Sequence, residues 1–301
     1  MLRGHIIMIK DIALLVGNGV NVASKGVSWK DLLNKIVKFC KCPELQTDEN
    51  KPFPLFYEEI FLTAINNGSI KREVELKKFI AMEVSKIEPN PVHQMIRELR
   101  PAHVITLNYE FLLEGTKPAK NSGLVNEALY SVFRKYMVDG IIFWHPHGDC
   151  HNPISINLGY EHYGGQLQKM RNYVTAIPDY KTKKIAQEPL FQRLKNENGL
   201  KQIQSWIDLF FTTDIHIIGL TLDFVETDLW WLITYRARQQ KYKQDFLVRN
   251  KIYYYTPKAY VVEDKKFKLK MLEASGVTVI PIDKVHGVEY YASIIGGLSN
   301  Q

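Results

Sequence analysis

Cysteine is scarce: three residues in 301, at Cys40, Cys42 and Cys150. That supply excludes a disulfide framework and the paired Cys-x-x-Cys knuckles of structural zinc, and suits a reducing cytoplasm. Long apolar runs are missing too, since none approaches the ~20 residues a membrane helix needs. The opening residues Met1-Leu-Arg-Gly-His-Ile-Ile-Met8 lack an apolar stretch followed by a small-residue cleavage site, so no signal peptide is expected. There is no internal repeat, no low-complexity tract, and no Gly-x-Gly-x-x-Gly. The last absence argues against a dehydrogenase in which NAD is a hydride carrier.

What is present is enough for a sizeable core, with 46% apolar residues. The formal net charge of +7 makes anionic partners plausible. The basic residues are scattered, however. The densest groups, Lys181/Lys183/Lys184 and Lys265/Lys266/Lys268/Lys270, read as solvated faces. A nucleotide substrate explains this balance as well as a nucleic acid would, and direct nucleic-acid binding has no motif behind it.

The stretch Ile12-Ala-Leu-Leu-Val-Gly-Asn-Gly-Val-Asn21 reads as a buried strand breaking into a glycine loop that can approach a phosphate. Ser28 to Phe39 follows as a capped amphipathic helix, then helices over 56–67, 71–86 and 91–99 with no strand signal between them. Strands are expected at 103–108, 140–144, 154–158, 214–219, 251–255 and 277–282, with helices over 226–240, 269–274 and 288–298. Residues 160–210 are polar and helix-prone, with a loop near Ile177-Pro178. The pattern predicts an α/β fold: a Rossmann-like parallel sheet flanked by helices, with a smaller inserted helical subdomain and no zinc module. The core is expected over 8–50, 101–160 and 210–301, with helical insertions over 55–100 and 160–209, all in one domain spanning 1–301.

Polar residues cluster just after the predicted strands, where such folds bind nucleotides. Gly17-Asn18-Gly19, Asn108, His147 and Gly219/Thr221 follow four different strands and are expected to meet in one crevice. Each has a plainer reading: a tight turn for the glycines, a strand-end cap for Asn108, a structural imidazole between Pro146 and Gly148 for His147. His145, two residues earlier, is expected to point the other way, and His162 to serve at the surface. Asp228 reads equally as a helix N-cap or a ligand. The Trp230-Trp231 pair and Tyr253-Tyr-Tyr255 read as core or interface, and Cys150 as no nucleophile, since neither a glycine elbow nor a helix start supports it.

In this order the segments resemble the sirtuin superfamily. Gly17-Asn-Gly-Val-Asn21 is similar to the Gly-Ala-Gly-x-Ser loop, Asn108-Tyr-Glu110 to Asn-x-Asp, His147-Gly148 to the catalytic His-Gly pair, and Gly219-Leu-Thr-Leu222 to Gly-Thr-Ser-Leu. The tail Leu272–Ile280 looks like the family's last helix and strand. Gly26-Val-Ser-Trp-Lys-Asp-Leu-Leu33, Ile156 to Tyr163 and Asp228-Leu-Trp-Trp231 are similar to bacterial sirtuin-like effector domains, whereas the zinc cysteines and the Pro-Asp-Phe-Arg segment of protein-deacylating sirtuins are absent.

The resemblance implies a catalytic domain that cleaves NAD+ to nicotinamide and ADP-ribose in antiphage defence, with NAD+ as substrate and no metal. It implies His147 as catalytic histidine, Asn108 as its partner at the ribose, and Gly17, Gly19 and Thr221 against the pyrophosphate. Asn18, Asn21, Glu110, Gly219 and Asp228 complete the implied binding set, with Glu110 standing where sirtuins hold the carboxamide with Asp. An imidazole with pKa near ~6.5 can take a proton from water or a ribose hydroxyl at neutral pH, and an amide can orient that oxygen. NAD+ depletion is toxic, so gating by homo-oligomerisation or by a separate protein such as a DNA-translocating ATPase is expected. The alternatives are a catalytically silent nucleotide-binding subunit and, further off, a protein deacylase.

Overall fold

The apolar run at 12–16 forms the carboxyl-terminal part of β1 (Lys10–Val16) in the computed structural model, which describes residues 9–25, 29–46, 51–118, 120–176, 185–186, 188–196, 202–242 and 248–300. A 3-10 turn over Asn18–Ala23 leads to α1 (Trp29–Phe39), α2 (Phe53–Asn66), α3 (Glu73–Val84) and α4 (Pro91–Leu99). The chain then forms β2 (Pro101–Thr106), β3 (Lys135–Val138), β4 (Ile141–Trp144), α5 (Tyr160–Thr175), the short α6 (Leu190–Arg193) and α7 (Trp206–Thr212). It ends with β5 (Ile215–Ile218), α8 (Thr227–Tyr242), β6 (Ile252–Pro257), α9 (Glu263–Ala274), β7 (Val277–Ile282) and α10 (Val288–Ser299). Gly26, the proposed cap Ser28, the Ile177-Pro178 loop and the 181–184 lysines lie outside the described residues, as does the side chain of Lys265.

The strands make one seven-stranded sheet in the order β3-β4-β2-β1-β5-β6-β7. Every neighbouring pair is parallel except β3 with β4. This is the Rossmann-like α/β architecture that alternating strands and helices predict. No described helix is long and apolar enough to cross a membrane.

β1 is apolar from Ile12 onward and fully buried from Ala13 to Val16, because both faces of the sheet are covered there. Ala13 and Leu15 face the core closed by α5, α7 and α8, while Leu14 and Val16 face the core closed by α4 and α10. A third apolar cluster holds α1, α2 and α3 together, and Tyr109, Ile156 and Leu158 join it. The helical block therefore seats itself on the loops that follow β2 and β4, which carry the candidate site.

Three expectations need correction or refinement. Residues 154–158 form no strand: Pro153–Ser155 is one 3-10 turn, and Ile156 and Leu158 are buried against helices. Their alternation records that burial and not a sheet, and Pro153 offers no N–H to a ladder. The antiparallel edge strand β3 was not anticipated. Its four residues include Lys135 and the exposed Met137, too few and too mixed to show a period. Its signal was Asp139-Gly140, both at positive φ (50° and 83°) as a two-residue hairpin turn requires. Finally, α5 and α7 cover one face of the sheet, and α4 packs on α10 across the other. Among the described residues, the helices standing apart from the sheet are thus α1 to α3.

Three of the buried imidazoles, those of His93, His103 and His216, resist protonation. Burial pushes His93, His103 and His216 down to about 4. The unfolded chain takes a proton near ~6.5 that the folded chain refuses, so stability is complete above that value and lost as pH falls toward 4. Each ring is expected to account for about 1–3 kcal/mol of that loss. Urea melts at pH 7, 5 and 4 check the fall, and NMR titration of the three rings checks their assignment.

Candidate functional site

Chain order reverses at β1, which has β2 on one side and β5 on the other. The carboxyl ends of β1 and β5 thus form the crevice where open α/β sheets bind ligands. Gly17 donates its N–H to Ile218 O at 3.1 Å, and Gly19 donates to Gly219 O at 2.8 Å. A Cβ on Gly17 would lie 2.5 Å from Gly219 O, and one on Gly19 would lie 2.8 Å from Gly219 Cα. Gly219 itself sits at φ +62°, and its own Cβ would lie 2.9 Å from Val20 N. Direct contact between two backbone loops therefore requires these glycines. It also spends the Gly17 and Gly19 N–H groups, so neither is left to cradle a phosphate, against the sequence expectation.

The crevice opens into a cleft of about 520 Å³, within the ~300–1,000 Å³ range of small-molecule sites. Gly17, Asn18, Gly19, Asn108, Glu110, His147, Gly219 and Thr221 all line it. Asn21 and Asp228 do not; each stands one layer back, bonded to a residue that does.

Asp228 is fully buried and accepts from His147 Nε2 at 2.8 Å. Tyr163 packs edge-on against the same ring, centroids 5.3 Å apart. The carboxylate thereby sets the tautomer: Nε2 carries the proton, and Nδ1 keeps its lone pair with no partner among the described residues. The loop that delivers His147 is equally determined. Gly148 stands at φ +91°, where a Cβ would fall 2.1 Å from Ser155 O, and His147 O accepts the Asn157 N–H at 2.9 Å. Asn108 follows β2 with its N–H on Thr106 Oγ1 at 3.1 Å, and its buried Nδ2 has no partner among the described residues. An imidazole lone pair and an unused amide donor thus border one cleft.

Asn21 belongs to a relay that the sequence did not reveal. The Asn90 N–H donates to His93 Nδ1 at 3.1 Å, so Nε2 carries that ring's proton and donates to Asn21 Oδ1 at 2.8 Å. Asn21 Nδ2 then donates to Glu110 Oε1 at 2.9 Å and to Asn18 Oδ1 at 2.8 Å. Asn90 closes the unit by donating to Val20 O at 2.9 Å. The start of α4 is thereby tied to both the glycine loop and Glu110. Burial raises the Glu110 carboxyl above the usual range, the Asn21 bond opposing it only in part.

Glu226 is the other residue that sequence reading missed. It lines the cleft two positions before Asp228, and its Oε2 is buried without a partner among the described residues. Burial, then Asp228 and Asp223, push its carboxyl up to about 8. Its only outward mark was a Glu-x-Asp pair at a helix start, which reads as ordinary first-turn acid.

The remaining candidates fall into place. His145 points away, paired with Glu114 at 2.8 Å in the core. His162, expected at the surface, is buried: its Nδ1 accepts from the Leu158 and Gly159 N–H groups, and its Nε2 meets Glu73 at 2.9 Å. Tyr254 and Tyr255 wall the cleft, whereas Tyr253 stacks on His216 at 4.8 Å. Trp230 holds the neighbouring loop by donating to Asp223 O at 3.1 Å. Burial pushes the Cys150 thiol up to about 12, which leaves it protonated and a poor nucleophile. Among the described residues, no group of three or more His, Cys, Asp or Glu is placed to hold a metal ion. No protein-family model matches this chain, and no curated protein matches it either, so the chemistry of the site has to be read from its own geometry.

Proposed function

We propose that this protein is a sirtuin-like NAD+ glycohydrolase. The observation that carries the reading is the His147–Asp228 pair at the sheet's switch point, its free Nδ1 bordering the same cleft as the unpartnered Asn108 amide. In the proposed reaction the bond between nicotinamide nitrogen and ribose C1′ breaks, and the electron pair leaves with the nitrogen. That pair neutralises the pyridinium, so the leaving group needs no acid. A water oxygen adds to the electron-poor C1′ and gives its proton to His147 Nδ1, while Asn108 orients the water or a ribose hydroxyl. The products are nicotinamide and ADP-ribose.

The reading extends to NAD+ depletion in antiphage defence, with turnover gated by self-assembly or by a partner such as a DNA-translocating ATPase. Incubating purified protein with NAD+ and following nicotinamide, alone and across a range of protein concentration, is the direct test. Release that rises more steeply than protein concentration is expected under assembly gating. Concentration-independent turnover by a monomer would remove the gating.

A second reading has its own support. Both glycine N–H groups are spent within the fold, and among the described residues no lysine or arginine lines the cleft. A silent nucleotide-binding subunit would bind NAD+ calorimetrically and release nothing, with or without partners.

A further inference from the structure

The cleft is acidic where the proposed ligand is anionic. Glu110, Asp223 and Glu226 line it, and Asp228 lies directly behind His147. A dinucleotide brings two phosphate charges into that setting. Glu110 has an oxygen committed to Asn21, but Glu226 Oε2 is buried and has no hydrogen-bond partner among the described residues. Its backbone is fixed as well, with the Glu226 N–H on Asp223 O at 3.0 Å and its carbonyl taking the Trp230 N–H at 3.0 Å. An ionised carboxylate there would strand a buried charge beside two other carboxylates. A carboxylic acid carries no such charge and has an O–H to give.

We propose that Glu226 is a protonated ligand-binding group, which donates a hydrogen bond from its carboxyl to an oxygen of the bound ribose phosphate and so ties uptake of the anionic nucleotide to uptake of a proton. This rests on the nucleotide reading above and adds a residue that no part of that reading contained. The groups acting on Glu226 come from every side. Asp223 shares its loop, Asp228 lies one half-turn into α8 with His147 beyond it, and Lys268 approaches from α9. Tyr163 of α5, Tyr109 after β2 and Tyr254 of β6 stand close enough to be affected by its charge. Lys268 is the opposing influence, and its Nζ is also bonded to Thr221 O at 2.6 Å. Burial and the two aspartates outweigh it, which places the ionisation near pH 8. Because nicotinamide departs neutral, the proton is not consumed by the leaving group and remains available for recognition.

The test is calorimetric titration of NAD+ into two proteins, both carrying His147→Ala to stop turnover. One retains Glu226 and the other carries Glu226→Gln, which keeps a donor but cannot ionise. Each is measured at pH 8 in buffers of different ionisation enthalpy, and again at higher pH. The Glu226 protein is expected to take up about half a proton per NAD+ at pH 8 and to lose affinity by about tenfold per pH unit above it. The glutamine protein is expected to do neither. Binding with equal proton uptake in both proteins overturns this proposal and leaves the nucleotide reading intact. Absence of binding by either protein defeats the nucleotide reading, and this one with it. The infrared spectrum of ligand-free wild type supplies a check independent of any variant: a carboxylic-acid C=O band that disappears as pH passes about 8 is expected, and its absence overturns the proposal.

Discussion

Asp228→Asn is expected to cut nicotinamide release by about 10²–10⁴-fold, and His147→Ala to reduce it to background. Asp228 lines no part of the cleft, so its effect has to travel through the imidazole. With a carboxylate on Nε2, the ring has one useful tautomer and one orientation, and Nδ1 is the base. An asparagine amide can present its NH₂ to Nε2 instead, which selects the tautomer with its proton on Nδ1 and leaves no lone pair toward the cleft. The loss therefore falls on kcat, with KM for NAD+ little changed. Nitrogen NMR of the His147 ring separates this from general damage: wild type is expected to show a protonated Nε2 and the Asn variant a protonated Nδ1. An Asp228→Asn enzyme with wild-type kcat would remove the proposed positioning role.

Gly17→Ala is expected to destabilise the fold by about 1–3 kcal/mol, because its methyl would fall 2.5 Å from Gly219 O in a contact of backbone with backbone. No side chain can rotate to make room. Gly219→Ala meets the opposite loop, its methyl 2.9 Å from Val20 N, and its φ of +62° adds about 1 kcal/mol of local strain. Gly164→Ala is the control, since nothing lies within 4 Å of its Cβ position on α5. There alanine is expected to stabilise by about 0.5–1 kcal/mol through helix propensity alone. Urea midpoints of the three variants test the ordering. Gly17→Ala melting like wild type would show that the β1 and β5 loops can separate freely.

Much of this organisation was legible in the chain. A strand buried on both faces reads as a near-continuous apolar run, so β1 from Ile12 on and β5, broken only by His216, stand out without alternation. The parallel topology then places the loops after β1, β2, β4 and β5 at one edge, which is why Asn108, His147, Gly17 and Gly219 were readable as one set. Edge and inter-layer features were harder. β3 is short and half exposed, and residues 154–158 alternate because helices, not strands, bury them. The relay from His93 through Asn21 to Glu110 joins residues 72 and 89 positions apart, and no local period records such a contact.

The glycine loop shows where the division falls. Sequence by itself determined that Gly17-Asn18-Gly19 follow a buried strand as a turn whose two glycines allow close backbone approach. Only the tertiary structure decided what approaches: it is the β5 loop, whose carbonyls take both glycine N–H groups. The same holds for Glu226 and Asp228 at the start of α8. Their types are written in the chain, but whether a carboxyl is charged depends on burial and on its neighbours in space. Contacts across the sheet turned Asp228 into the partner of His147 and left Glu226 with an unpaired buried oxygen.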